Sequence, residues 1–403
     1  MATTTAAPRT ASADQPAPGP GVYSSRMLRE AINAGRISPK RIPAAQIQPA
    51  SIDLRLGAKA YRLRSSFLPG PTARVRDRLP ELQMGAALDL ADPEGVVFEP
   101  GRPYLVRLME SVRLPEGTVG RTNPRSSTGR LDVFTRVISD RGTQFDEIDP
   151  GYEGPLWLEV YSNTFTVNAR QGLALTQLRI SSGDSWLDAA AVGELHAREG
   201  LVFERGRSGS APRERVEAPR IGQRGLLVSV DLPGGQFCGW RAKRNSALLD
   251  LARTDAYDPF DYWEPVFAEP GGRLVIQPDD FHLLISKEFV SIPPDVAAEM
   301  VAYDPTNGEL RTHYAGFFDP GFGYGADLRG TQAVLEVRAH DVPFMLEDGQ
   351  PIARLAFERM AEPPGVLYGS SELGSHFQRQ GVKLSRQFKA PEASIRFQMT
   401  SGR

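Results

Sequence analysis

A serine and an arginine stand four residues apart in RSSTGR, at Ser126 and Arg130, with Arg125 and Ser127 beside them. A serine hydroxyl both donates and accepts a hydrogen bond. An arginine guanidinium is a rigid, permanently charged donor fork. If the segment is helical, the four-residue spacing puts both on one side of a turn. Together they can orient a water and hold negative charge. A capped polar turn is the other reading of the same residues. The second candidate is Glu159 in WLEVYSN. Strand alternation turns Leu158 and Val160 to a core and Glu159 to the other face, with Trp157 and Tyr161. A partly desolvated carboxylate there gains basicity and can move protons. A solvent-exposed strand glutamate is the plainer reading.

The rest of the composition limits what this chemistry can be. The single cysteine, Cys238, makes no intrachain disulfide, and the five histidines (His196, His282, His313, His340, His376) are scattered. The chain therefore lacks the His/Cys set of zinc-dependent base deaminases and any other metal-ligand spacing. The formal net charge of -2 offers no long-range positive field, so a nucleic-acid partner is not expected. No apolar run reaches the roughly 20 residues of a membrane span, and the Ala/Thr/Pro-rich start has no signal-peptide core. A cytoplasmic location is expected.

These residues need a frame. The 403 residues suit two domains. Ser25 to Gly35 reads as a short amphipathic helix. IQPASIDLRLG (47–57) reads as a strand, and from there short strands and turn signals alternate to about 358. The expected class is mainly β: two distorted β-barrel or β-sandwich domains with a few short helices. The expected divisions are a disordered tail (1–22), a first domain (23–200), a linker (201–222), a second domain (223–358) and a C-terminal tail (359–403).

The halves repeat each other. FEPGRPYLVRLMESVRLPEGTVG (98–120) lies over IQPDDFHLLISKEFVSIPPDVAAE (276–299), and EIDPGYEG (147–154) over FFDPGFGYG (317–325). WLEVYSN (157–163) lies over VLEVRAH (334–340), and ARQGLALTQLRI (169–180) over LEDGQPIARLAF (346–357). Four blocks in one order indicate a duplication. NPRSSTGR has no counterpart: AYDPTNG (302–308) carries neither the serine pair nor the arginines. The second copy does keep a glutamate, Glu336, in its L-E-V strand.

IQPASIDLRLG, RSS-x-x-R, IDPGYEG, WLEVYSN, the R-x-G-x-x-x-x-Q-L turn and the terminal FQRQGVKLSR together resemble the dCTP deaminases, a family of the dUTPase-like superfamily. The likeness covers most of 25–180 and returns at about 366–388. It implies a long, duplicated, catalytically unequal form of the enzyme. It implies hydrolytic deamination of dCTP to dUTP with release of ammonia and no metal at the base, supplying dUTP for thymidylate synthesis. The family's catalytic serine, arginine and glutamate fall on Ser126, Arg130 and Glu159. Arg125 and Ser127 fall at phosphate and backbone contacts, Asp149 beside the deoxyribose, and Tyr368 and Gln380 on the closing tail. Arg179 is a further candidate phosphate donor. Mg²⁺ is expected with the triphosphate, and a homotrimer or dimer is expected.

Three departures stand out. The stretch from Arg130 to Asp149 is longer than in the short enzymes. The tail has His376 where the family usually places a lysine. The first half has no tail of its own, which leads to the expectation that the second half's tail covers a site built by the first. Two other readings remain: a dUTPase or a bifunctional dCTP deaminase and dUTP diphosphatase, and a non-catalytic nucleotide-binding regulator or scaffold.

Overall fold

The computed structural model describes residues 19–206, 213–223, 225–302, 310–312, 316–325, 329–339, 341–370, 373 and 381–391. Strands dominate. In the first half, a ten-stranded sheet runs in the order Val133–Ser139, Glu153–Ser162, Tyr104–Arg113, Ile52–Arg62, Ala174–Ser182, Thr118–Pro124, Glu147–Ile148, with three short strands at its sides. The sheet curls into a nearly closed barrel around a core that includes Leu54, Leu56, Val106, Leu158, Val160 and Leu178. Alternation in each strand produces this core, because every second residue points to one face.

The second half repeats the pairings. Glu153–Ser162 lies on Tyr104–Arg113, and Thr331–Ala339 lies on Phe281–Val290. Ala174–Ser182 lies on Thr118–Pro124, and Pro351–Arg359 on Val296–Ala302. The register agrees to the residue: Glu159 sits opposite Leu105, and Glu336 opposite Leu283. The fold is mainly β and duplicated, as expected.

The boundaries differ from the expected ones because the halves share buried surface. Gly21 and Val22, expected in a disordered tail, pair with Ser182 and Ser181, and Val22 is fully buried. Residues 1–18 lie outside the described residues. The helix Ala189–Glu199, expected in the first domain, contributes Val192 and Leu195 to the second core. Parts of the expected linker are strand: Val202–Glu204 pairs with Phe281–Val290, and Ile221–Gly222 with Gly225–Ser229. Conversely Trp240, Trp263, Phe281 and Leu283 of the second half belong to the first core.

Buried charge crosses the same seam. Arg121 pairs with Glu358, and Asn123 donates to Glu299 at 2.7 Å. Arg179 is fully buried; it donates to the Ala298 carbonyl at 3.0 Å and meets Glu358 at 3.4 Å and Asp319 at 3.5 Å. Removing one partner of such a pair strands the other charge in a low dielectric. The seam is therefore fixed in register as well as buried.

Candidate active site

RSSTGR does form a helical turn, Ser126–Gly129. Arg125 caps it from an extended conformation, and its carbonyl accepts from the Thr128 and Gly129 amides at 2.7 and 3.0 Å. The Arg130 amide donates to the Ser126 carbonyl at 3.2 Å, so the two candidate side chains share one side of the turn. Asp132 ends the turn with φ 56°, a left-handed conformation that aspartate tolerates better than most residues.

What faces this turn is not Glu159. It is Glu336, from the second half. A Cβ added to Gly129 would lie 2.6 Å from Glu336 Oε2, so any larger residue would displace the carboxylate from this position. Arg130 is buried beside it, and that burial holds the guanidinium down to about 10 despite Glu336. Glu336 is half-buried as a residue, yet desolvation pushes its carboxyl up to about 8, with Arg130 opposing the shift and Asp132 adding to it.

Glu159 stands elsewhere. Leu158 and Val160 do face the core, and Glu159 does share the other face with Trp157. That face is covered by the chain's own excursion over 63–83. Leu63, Val75 and Leu82 pack there on Trp157, Leu105 and Ile138. Glu159 is buried and accepts from Ser66 Oγ at 3.0 Å and from Arg136 Nε at 3.0 Å. Arg136 is stacked in turn over Phe145 at 4.2 Å. The structure brings Ser126 and Arg130 together and leaves Glu159 out, because each L-E-V strand turns its polar face away from its own half's core.

Two other expected contacts move for the same reason. Asp149 is exposed on its turn, whereas its repeat partner Asp319 is buried against Arg179. Asp319 also acts electrostatically on Asp53, which pairs with Arg125 at 3.3 Å. Burial raises Asp53 and Asp319 to about 6 each. Arg179 is a tie across the seam rather than a phosphate donor, since it has no exposed surface and two carboxylates already hold it.

The C-terminal segment 381–391 lies across the turn. Arg130 Nη1 donates to the Lys383 carbonyl at 2.6 Å, and Ser385 Oγ to the Ser127 carbonyl at 2.6 Å. Trp240 Nε1 donates to the Val382 carbonyl at 3.2 Å, and Leu384 and Phe388 anchor the segment in the first core. Tyr368 packs on Phe322 at 5.7 Å and its phenol acts electrostatically on Arg130. Gln380 lies outside the described residues.

Sequence reasoning passed over Lys383 and Arg386. Lys383 is depressed by desolvation and by Arg130, and Arg386 by desolvation and by Arg125. Four cations thus converge on one turn, which is the electrostatic requirement of a polyanion site. The signal was the basic run KLSRQFK beyond the aromatic of the tail.

The family model for the N-terminal domain of 2'-deoxycytidine 5'-triphosphate deaminase matches residues 19–184, and that for its C-terminal domain matches 189–388. The chain belongs to the dCTP deaminase family. It is a hydrolase of that family. It is similar to the "dCTP deaminase, dUMP-forming" of Persephonella marina, 29% identical over 187 residues, 46% of this chain and 96% of the relative. It is also similar to that of Parafrankia sp., 34% identical over 162 residues, 39% of this chain and 74% of the relative. The crystal structure of 2'-deoxycytidine 5'-triphosphate deaminase from Agrobacterium tumefaciens superimposes with a TM-score of 0.80 at 43% identity, covering 88% of this chain and 99% of that one. The relatives correct one expectation. A reaction that stops at dUTP does not fit enzymes named for forming dUMP.

Proposed function

We propose that this dCTP deaminase family member carries dCTP to dUMP, releasing ammonia and pyrophosphate and consuming two waters. This is the bifunctional reading. The observation that carries it is the seam itself: Ser126 and Arg130 of the first half face Glu336 of the second, under a cluster of Arg125, Arg130, Lys383 and Arg386.

The deamination follows from the proton affinity of Glu336. Raised to about 8, the carboxyl holds its proton at neutral pH. It donates that proton to N3 of the cytosine, which makes C4 electrophilic. Ser126 orients the attacking water through its hydroxyl. The Glu336 carboxylate, now paired with Arg130, takes a proton from the water and passes it to the departing amine; as ammonia leaves and the C4 carbonyl forms, the proton remaining on the C4 hydroxyl returns to Glu336. The four cations hold the triphosphate and stabilise charge on the pyrophosphate when a second water attacks the α-phosphorus.

Mg²⁺ accompanies the triphosphate. Among the described residues no group of three His, Cys, Asp or Glu side chains can hold a metal by itself. Asp53 Oδ1 is buried without a hydrogen-bond partner, and Asp319 Oδ1 has only the 3.5 Å contact from Arg179. These oxygens fit a hard cation bound mainly by phosphate. Asp53 and Asp319 would hold it, and it would neutralise charge on the leaving pyrophosphate.

Both halves supply the site, so one chain binds one nucleotide whether or not chains self-associate. Among the described residues no helix is long and apolar enough to cross a membrane, and a deoxynucleotide substrate suits the expected cytoplasmic location. The test is a dCTP time course with ammonia, pyrophosphate and dUTP measured together. Equal yields of ammonia and pyrophosphate without dUTP accumulation are expected. Ammonia alone, with dUTP accumulating, would overturn the second step.

A further inference from the structure

Beside the pair of Arg130 and Glu336 runs a second pair of opposite polarity. Arg338 follows Glu336 by two residues in the same strand and so shares its face. Asp132 follows Arg130 by two residues at the end of the turn. Arg338 Nη2 donates to Asp132 Oδ2, and Arg338 Nη1 donates to the Asp279 carbonyl at 2.7 Å. Asp132 is fully buried and is held to the first half as well. It accepts from Thr164 Oγ1 at 2.6 Å and from Asn163 Nδ2 at 3.3 Å, directly after the Glu153–Ser162 strand.

The seam therefore sets an arginine opposite a carboxyl and, one step along, an aspartate opposite an arginine. A two-residue slip of the Thr331–Ala339 strand would set Arg338 against Arg130 and take Asp132 from its arginine. The first half has no such pair, since the residue equivalent to Arg338 is Tyr161, which packs on Phe134 at 5.0 Å. Nothing in the deamination itself calls for Asp132 or Arg338 to touch the base.

We propose that Asp132 and Arg338 are positioning residues, a latch across the seam that sets where Glu336 stands against Arg130. The inference rests on Glu336 as the proton-transfer group. Among the described residues, Arg130 from the turn and Asp132 beyond it act electrostatically on Glu336, and Arg338 shares its strand face. Tyr368 and Lys383 interact electrostatically with Arg130. His282, on the neighbouring strand, is buried, held down to about 4 and therefore neutral. Asp132 is the negative neighbour in this set, and it favours the protonated carboxyl.

The test compares Asp132→Asn, Arg338→Gln, Arg338→Lys and Glu336→Gln in the full chain, with dCTP. Asparagine tolerates the left-handed conformation, so Asp132→Asn removes the charge with little backbone strain. Asp132→Asn and Arg338→Gln are expected to lower kcat about 10- to 100-fold, as a misplaced catalytic group does. KM should stay near the parent value, because the phosphate donors are untouched. Arg338→Lys should recover part of the loss. In Asp132→Asn the alkaline fall of activity should move to lower pH, a change that loss of fold alone would not produce. Wild-type kcat and an unmoved pH profile in both neutral variants, beside an inactive Glu336→Gln, would overturn the latch alone. An active Glu336→Gln would overturn the reading on which it rests.

Discussion

Two strands of this molecule carry the same L-E-V core and meet different fates. Glu159 and Glu336 occupy equivalent registers, opposite Leu105 and Leu283. Over Glu159 lies the 63–83 excursion, with Ser66 and Arg136 on its carboxylate and a small apolar cluster around it. Over Glu336 lies the one-turn helix of the other half, with Arg130 and a glycine cut to fit. Duplication gave the chain two such faces, but only one copy of RSSTGR to cover them. The face that meets the turn is the one proposed as the site. The other is closed by local chain and turned into core.

Exchanging the carboxylates for amides breaks the comparison most directly. Glu336→Gln is expected to lower kcat for ammonia release by about 10²- to 10⁴-fold, the range of a lost proton-transfer group. Glu159→Gln is expected to keep kcat within a few-fold and to lose stability, because Arg136 would be left beside a neutral amide. Steady-state rates and thermal midpoints of the two variants decide the matter. If Glu159→Gln is the dead enzyme, the assignment across the seam is wrong.

The arginines give the next contrast. Arg130→Gln should cost about 10²-fold or more in kcat, through loss of charge stabilisation at Glu336. Arg136→Gln should leave kcat nearly unchanged while destabilising the fold by about 3–5 kcal/mol, since it strands a fully buried carboxylate. Denaturant unfolding beside kinetics separates them. A large kcat loss in Arg136→Gln with normal stability would place Glu159 back in the chemistry.

Much of this was legible in the sequence. The alternating strands, the four repeated blocks and the unpaired RSSTGR segment set out the fold, the duplication and half of the candidate site. The choice of glutamate was not, since the L-E-V triplets are identical and strand periodicity says which face, not whose face. A signal was present in the neighbours. Trp157 and Tyr161 flank Glu159 on its face and announce an apolar cover, whereas Val334 and Arg338 flank Glu336. Asp149 and Asp319 were confounded in the same way. Arg179 misled because an arginine between Leu178 and Ile180 can face phosphate or a second domain, and only the packed seam shows that it meets Glu358 and Asp319.

The pH dependence sharpens the contrast further. Glu336 is raised from its ordinary 4.5 to about 8, chiefly by burial. A carboxyl raised in the folded chain favours the protonated protein. That stabilisation is complete below the ordinary value of about 4.5 and is lost as pH rises through about 8. The nucleotide-free protein should therefore become less heat-stable between these limits, and Glu336→Gln should flatten part of that slope. Asp53 and Asp319, each raised to about 6, add to it at the lower end. In the proposed mechanism the protonated carboxyl starts the reaction, so kcat/KM should fall as pH passes about 8. A parent profile flat from pH 6 to 9 would mean that Glu336 does not titrate as placed.

The smallest effect lies at the closed face. Ser66 donates to Glu159 at 3.0 Å and accepts from Arg136 Nη2 at 3.0 Å, so it completes a local triangle rather than reaching a nucleotide. Ser66→Ala removes one hydrogen bond but leaves the Arg136–Glu159 pair, so a loss of about 1 kcal/mol is expected. Neither kcat nor KM for dCTP should change. Ser126→Ala, the same change at the open face, should lower kcat while leaving the thermal midpoint almost unmoved, because Ser126 is only half-buried. Opposite readouts from one substitution at two serines would show that the two L-E-V faces now differ in task. If Ser66→Ala lowered kcat as much as Ser126→Ala, the excursion over 63–83 would belong to the site, and the face at Glu159 would not be closed.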